Sequence, residues 1–102
     1  QQSTLTAVDD EEILPTVFKL EQNYPNPFNP TTIIKFAVPE KSNVLIKVYD
    51  ILGSEVATLV NEEMDAGWYR KTFDANNYSS GVYLFRMEAG KFISTKKMIL
   101  LR

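Results

Sequence analysis

Beyond Pro30 the chain alternates apolar and polar residues with a period of two. In TTIIKFAVP, Ile34, Phe36 and Val38 share one face, and Ile33 and Lys35 the other. In NVLIKVYD the faces are Val44, Ile46 and Val48 against Leu45, Lys47 and Tyr49. ILGSEVATLV turns at Gly53-Ser54 and continues as a short strand through Val56 and Leu59. GWYRKTFDA sets Tyr69 and Phe73 against Trp68 and Thr72, and Lys71 falls on the Tyr69 face, from which it must snorkel to the rim. GVYLFRMEA sets Tyr83, Phe85 and Met87 against Val82, Leu84 and Arg86, and FISTKKMILLR is strongest at Met98 and Leu100. With FKLEQ near residue 20 this makes about seven strands, and the pattern predicts an all-β antiparallel sandwich. Its expected core includes Ile34, Phe36, Ile46, Val48, Phe73, Tyr83, Phe85 and Met98. Turn signals fall at 39–43, 52–54, 61–67, 76–81 and 90–91. EVATLVNEEMDAG fits a helical spacing loosely, but its β-branched residues and flanking glycines argue against a helix.

Two stretches break the alternation. Residues 1–17, QQSTLTAVDDEEILPTV, have no sustained period and read as a linker or extended arm from an upstream domain, with Leu5, Val8, Ile13, Leu14 and Val17 able to lie along a partner surface. NYPNPFNP, residues 23–30, puts three prolines and three asparagines in eight residues. Pro25, Pro27 and Pro30 fix φ and lack an N–H. Tyr24, Asn26 and Asn29 each precede a proline and are pushed toward extended backbone. The expectation is a rigid, kinked, non-pairing segment whose Tyr24 and Phe28 plug the end of the sandwich, with asparagine side chains bonding local backbone.

Composition narrows the chemistry. The chain has 102 residues, 44% hydrophobic and 24% charged, as expected of one small globular domain. Its longest apolar runs, Val82–Phe85 and Met98–Leu101, fall far short of the roughly 20 residues of a membrane helix. No secretory leader pattern opens the sequence, and the initial glutamine suggests a piece of something longer. Net charge is −2, with an acidic excess of four in residues 1–22 and a basic excess of two in the rest, too weak for a nucleic-acid footprint. There is no cysteine, so no disulfide, and no histidine, so no Ser-His-Asp or Cys-His arrangement and no histidine zinc site. No catalytic residue, metal site, cofactor or small-molecule substrate is expected. Gly53, Gly67, Gly81 and Gly90 read as turn residues with positive φ, and none has phosphate-loop spacing. Glu62, Glu63 and Asp65 read as solvated loop carboxylates rather than an ion site. Trp68, Tyr69, Tyr78, Tyr83 and Tyr49 read as packing aromatics; the alternative is a carbohydrate-binding or structural Ig-like or fibronectin-like module with these rings as a platform.

LEQNYPNPFNPTT, VYDILGSEV, AGWY, FDANNYSSGVYLFRMEAG and the final KKMILLR, in that order and spacing, resemble the C-terminal sorting domain of type IX secretion cargo proteins. The likeness runs from about Phe18 to Arg102 and implies domains at 1–17 and 18–102. It implies a seven-stranded immunoglobulin-like sandwich, related to the Ig-like domain of flagellar hook-capping proteins. It further implies a secretion signal that takes an upstream cargo through periplasm and outer membrane of a diderm bacterium to the medium or cell surface. The implied partners are the type IX translocon with its outer-membrane shuttle protein, a sortase-like peptidase and the covalently linked cargo. The residues carried over are Tyr24, Pro25, Asn26, Pro27 and Phe28, then Gly53, Gly67 and Gly81 with Tyr83, then Lys96, Lys97, Met98, Leu100 and Arg102. The last strand is expected to be captured by strand addition, with acidic groups of a partner meeting Lys96 and Lys97 together. Cargo release is expected by a cut before Tyr24, within residues 1–18.

Overall fold

The computed structural model describes residues 13–102. Leu5, Val8 and the acidic run 9–12 lie outside the described residues. The described chain forms seven strands and no helix: β1 (Lys19–Leu20), β2 (Thr31–Val38), β3 (Ser42–Asp50), β4 (Glu55–Met64), β5 (Gly67–Asp74), β6 (Gly81–Ala89) and β7 (Phe92–Leu100). One sheet has three strands in the order β1-β2-β5 and the other four in the order β4-β3-β6-β7, and all pairings are antiparallel. The chain changes sheet between β2 and β3, between β4 and β5 and between β5 and β6, the crossing pattern of an immunoglobulin-like sandwich.

The period-two reading positions the core. All eight expected core residues are buried, and Val38, Val44, Met87 and Leu100 join them. Each such side chain contributes about 1.5–3 kcal/mol through lost apolar surface. Phe36 stacks on Tyr69 and Phe73 on Tyr78, at 5.5 and 5.7 Å between centroids. Tyr83, near the start of β6, donates its hydroxyl to the Ser79 carbonyl at 2.7 Å. This is the tyrosine corner that braces the sheet-changing connection in such sandwiches.

Two expectations change. First, β4 is ten residues long, so the turn read over 61–67 shrinks to Asp65-Ala66. Asn61, Glu62 and Glu63 pair by backbone with Leu45, Val44 and Asn43 while their side chains stay exposed, which an outer strand permits to polar residues. Two register shifts against β3 blunt this edge and bring Val60 rather than Val56 or Leu59 fully inward.

Second, Lys96 and Lys97 do not form a joint cationic surface. Lys96 opposes Phe85, on the face of Met98 and Leu100, and is half-buried, whereas Lys97 is exposed on the opposite face. Lys71 repeats the arrangement on β5: it shares the inner face with Tyr69 and Phe73 and leaves at the rim, exposed. Both lysines sit on outermost strands, where an inward-pointing charge disfavours pairing with another chain.

The positive φ expected of the glycines is found at all four: Gly53 (φ 90°) and Gly90 (φ 58°) form the turns of the β3–β4 and β6–β7 hairpins, and Gly67 and Gly81 (φ 158° and 157°) open β5 and β6.

Candidate partner-binding end of the sandwich

Strand directions define two ends. Residues 13–18, 39–41, 65–66 and 90–91 lie at one; the proline string, the β3–β4 turn, the β5–β6 connection and Leu101-Arg102 lie at the other.

The proline string pairs, contrary to the expectation of a non-pairing segment. Tyr24 and Ile33 exchange two backbone hydrogen bonds at 3.0 Å, which ties the string to β2. Phe28 receives the Leu101 N–H at 3.0 Å and donates its own to the Ile99 carbonyl at 2.9 Å, which ties it to β7 of the other sheet. The Ile99 N–H donates to Asn26 Oδ1 at 3.0 Å, and Gln22 Nε2 donates to the Lys97 carbonyl at 2.6 Å. The outward backbone groups of Lys97, Ile99 and Leu101 are thereby matched to Gln22, just before the string, and to Asn26 and Phe28 within it. Prolines, which have no N–H, fall between those positions. All three X-Pro bonds are cis. The string is a lace between the sheets, and it closes the outer edge of β7 over its C-terminal half.

Its two aromatics part company. Phe28 is 2% exposed and packs 6.1 Å from the Phe73 ring, as a plug should. Tyr24 is 81% exposed and plugs nothing; pairing with the β2 edge turns it outward. Asn23 is 2% exposed and donates to the Pro25 carbonyl at 3.1 Å and to Thr32 Oγ1 at 3.0 Å. Buried Thr32 also donates to the Pro25 carbonyl, at 2.8 Å. Asn23 thus bonds locally as expected, but Asn26 reaches β7. Thr32 and the burial of Asn23 were missed by sequence reasoning; the only signal was the even spacing of Thr32 with Ile34 and Phe36.

At the same end, side chains brace two further segments. Asp50 Oδ1 accepts the N–H groups of Leu52 and Ser54, both at 2.9 Å, so Ile51 and Leu52 are held at the tip of the β3–β4 turn, Leu52 88% exposed. Arg102 donates its N–H to Ser80 Oγ at 2.9 Å. Its guanidinium reaches the carbonyls of Ala75 (3.2 Å), Tyr78 (3.0 Å) and Asn76. Exposed Leu101 is thereby fixed beside the string.

Of the sequence-predicted residues, the fold gathers Tyr24–Phe28, Gly53, Gly81, Tyr83, Met98, Leu100 and Arg102 at this end. Tyr83, Phe28, Met98 and Leu100 serve inside it as core. Gly67 starts β5 at the opposite end, and Lys96 and Lys97 lie midway along β7. The aromatics of the carbohydrate alternative form no common platform: Tyr69, Tyr78 and Tyr83 pack on the core, Tyr49 lies under Arg86 at 5.3 Å, and Trp68 lies under Lys35 at 4.8 Å. Among the described residues no group of three acidic side chains gathers as a metal site.

The chain is thus an immunoglobulin-like sandwich with most, though not all, of the sequence-predicted residues at one end. The family model of the secretion system C-terminal sorting domain matches residues 22–101, and the chain belongs to that family. No curated protein matches the chain. The domain is a C-terminal sorting signal of type IX secretion, a signal whose cargo is secreted or placed on the cell surface.

Proposed function

We propose that the export machinery reads the string end through side chains: the type IX translocon and its outer-membrane shuttle protein contact Tyr24, Ile51, Leu52 and Leu101. The carrying observation is that these exposed apolar residues lie at the same end of the sandwich as the string, remote from residues 13–18. Capture of β7 by strand addition is disfavoured over Lys97–Leu101, because those backbone groups already bond the string. In this reading residues 1–17 join the cargo to the domain, residues 18–102 are the address, and the domain performs no catalysis of its own. A sortase-like peptidase then separates the cargo, and the final location is the medium or surface of a diderm bacterium after transit through periplasm and outer membrane.

The test is a passenger with a signal peptide fused to residues 18–102, expressed in a host with type IX machinery. The wild-type fusion is exported. Tyr24→Ala with Leu52→Ser, both at exposed positions, leaves the fusion in the periplasm with an unchanged thermal midpoint. Normal export of the folded double variant would refute the string-end reading. Failure of the wild-type fusion would refute the address itself.

A further inference from the structure

The outer face of the three-stranded sheet carries a feature that sorting at the other end does not use. Lys19 on β1 and Trp68 on β5 flank Ala37 of β2 in one cross-strand row. Ala37 points to the outer face, between outward Lys35 and the strand end, yet it is 0% exposed. Its row neighbours Lys19 and Trp68 line a pocket together with the chain before β1. The segment 13–17 runs back across this face, over a width of two strand spacings, roughly 10 Å. Trp68 Nε1 donates to the Ile13 carbonyl at 3.0 Å and fastens it there. Lys35 Nζ sits 4.8 Å over the indole and steadies the ring. An apolar cavity of about 340 Å³ lies between the segment and the ring, and Ile13, Leu14 and Val17 remain exposed. The segment is therefore a strap fastened at its end and loosely seated along its length.

We propose that Trp68 pins this strap and so sets the C-terminal limit of cargo release: bonds from Ile13 to Lys19 open to a peptidase only when the strap lifts. Hydrolysis there consumes one water and leaves a carboxylate on the cargo and an ammonium on the domain. The step to cargo release rests on the sorting-signal reading; the pin itself does not. A peptidase takes its substrate as several residues of accessible extended backbone. Cleavage within a fastened segment then tracks the population of its lifted form. The window of residues 1–18 expected from the sequence narrows to the part before Ile13.

Thermolysin, which cuts before large apolar residues, probes the pin in the purified 102-residue chain, with products read by mass spectrometry. Wild type is cut slowly before Val17 and Phe18, Pro15 blocking a cut before Leu14. Trp68→Ala speeds cutting at those two bonds on the order of tenfold. Trp68→Phe, which keeps a ring but lacks the N–H, gives an intermediate rate with no new cuts in β1 to β7. Equal rates at these bonds in wild type and in whichever variant stays folded would overturn the proposal. In an exporting host the released cargo ends before Ile13, and Trp68→Ala adds later ends. Loss of export with the thermolysin pattern intact would fault the sorting reading and leave the pin standing.

Discussion

Two irregular segments flank the two-residue strand β1, and they are held in opposite ways. The string after it is bound to both sheets by backbone pairs, by Asn26 and Gln22 on β7, and by a buried Asn23–Thr32 contact. The strap before it is held by the Trp68 bond to Ile13, over an open cavity. Both lie across strand edges or faces with little regular pairing. The string has become part of the fold because its polar groups are buried and matched, and an unmatched buried group costs more than a made bond gains. The strap exposes its apolar side chains and can lift without breaking the core. One sequence thus encodes a closely bonded segment and a lightly fastened one on either side of β1.

Substitutions should separate the two. The largest effect is expected from Phe28→Ala, which empties a fully buried site against Phe73 and should cost about 3–5 kcal/mol in urea unfolding. A loss under about 1 kcal/mol would mean that the string only rests on the sandwich. Asn23→Ala leaves Thr32 and the Pro25 carbonyl short of a donor and should cost about 1–3 kcal/mol, measured in the same way. Trp68→Ala should lower global stability by less than about 1 kcal/mol while altering strap proteolysis. A loss as large as that of Phe28→Ala would place the strap in the core and erase the contrast.

A surface pair outside both segments provides the baseline. The hydrogen bond from Lys47, and then that from Thr58, holds the Glu55 carboxyl below its ordinary range, and the same Lys47–Glu55 bond holds Lys47 above its own. The Glu55 contribution is present above the ordinary carboxylate pKa and is lost as pH falls through the lowered folded value; that of Lys47 is lost as pH rises through its raised one. Glu55→Gln should therefore lower the thermal midpoint slightly at neutral pH, and its midpoint should converge on wild type in acid. The effect is the smallest of the four because both groups are exposed to solvent.

Regular periodicity made most of the core legible in the sequence. Ile34, Phe36, Ile46, Val48, Phe85 and Met98 could be placed because a period of two has one physical reading when one face is buried. The length of β4 was not legible, since Asn61, Glu62 and Glu63 on an outer strand need backbone partners but no burial. The opposed faces of Lys96 and Lys97 could have been read from their parity with Met98 and Leu100. The string was half legible: its stiffness comes from proline, but which groups it pairs with depends on contacts 73 residues apart. Tyr24 and Phe28 look equivalent in sequence and become opposites only when Tyr24 pairs with Ile33 and Phe28 with Leu100. The Trp68 pin joins residues 55 positions apart and has no local signature.

The central claim is that the string closes the C-terminal half of the β7 edge and leaves side chains, not backbone, to be read there. Amide hydrogen exchange on the folded domain tests it most directly. The outward N–H groups of Ile99 and Leu101, bonded to Asn26 Oδ1 and the Phe28 carbonyl, should exchange as slowly as the amides between β6 and β7, and Asn23→Ala should speed them selectively. Rapid exchange at Ile99 and Leu101 in the wild type, at the rate of an open strand edge, would contradict the account and return strand addition to β7 as the way this domain is recognised.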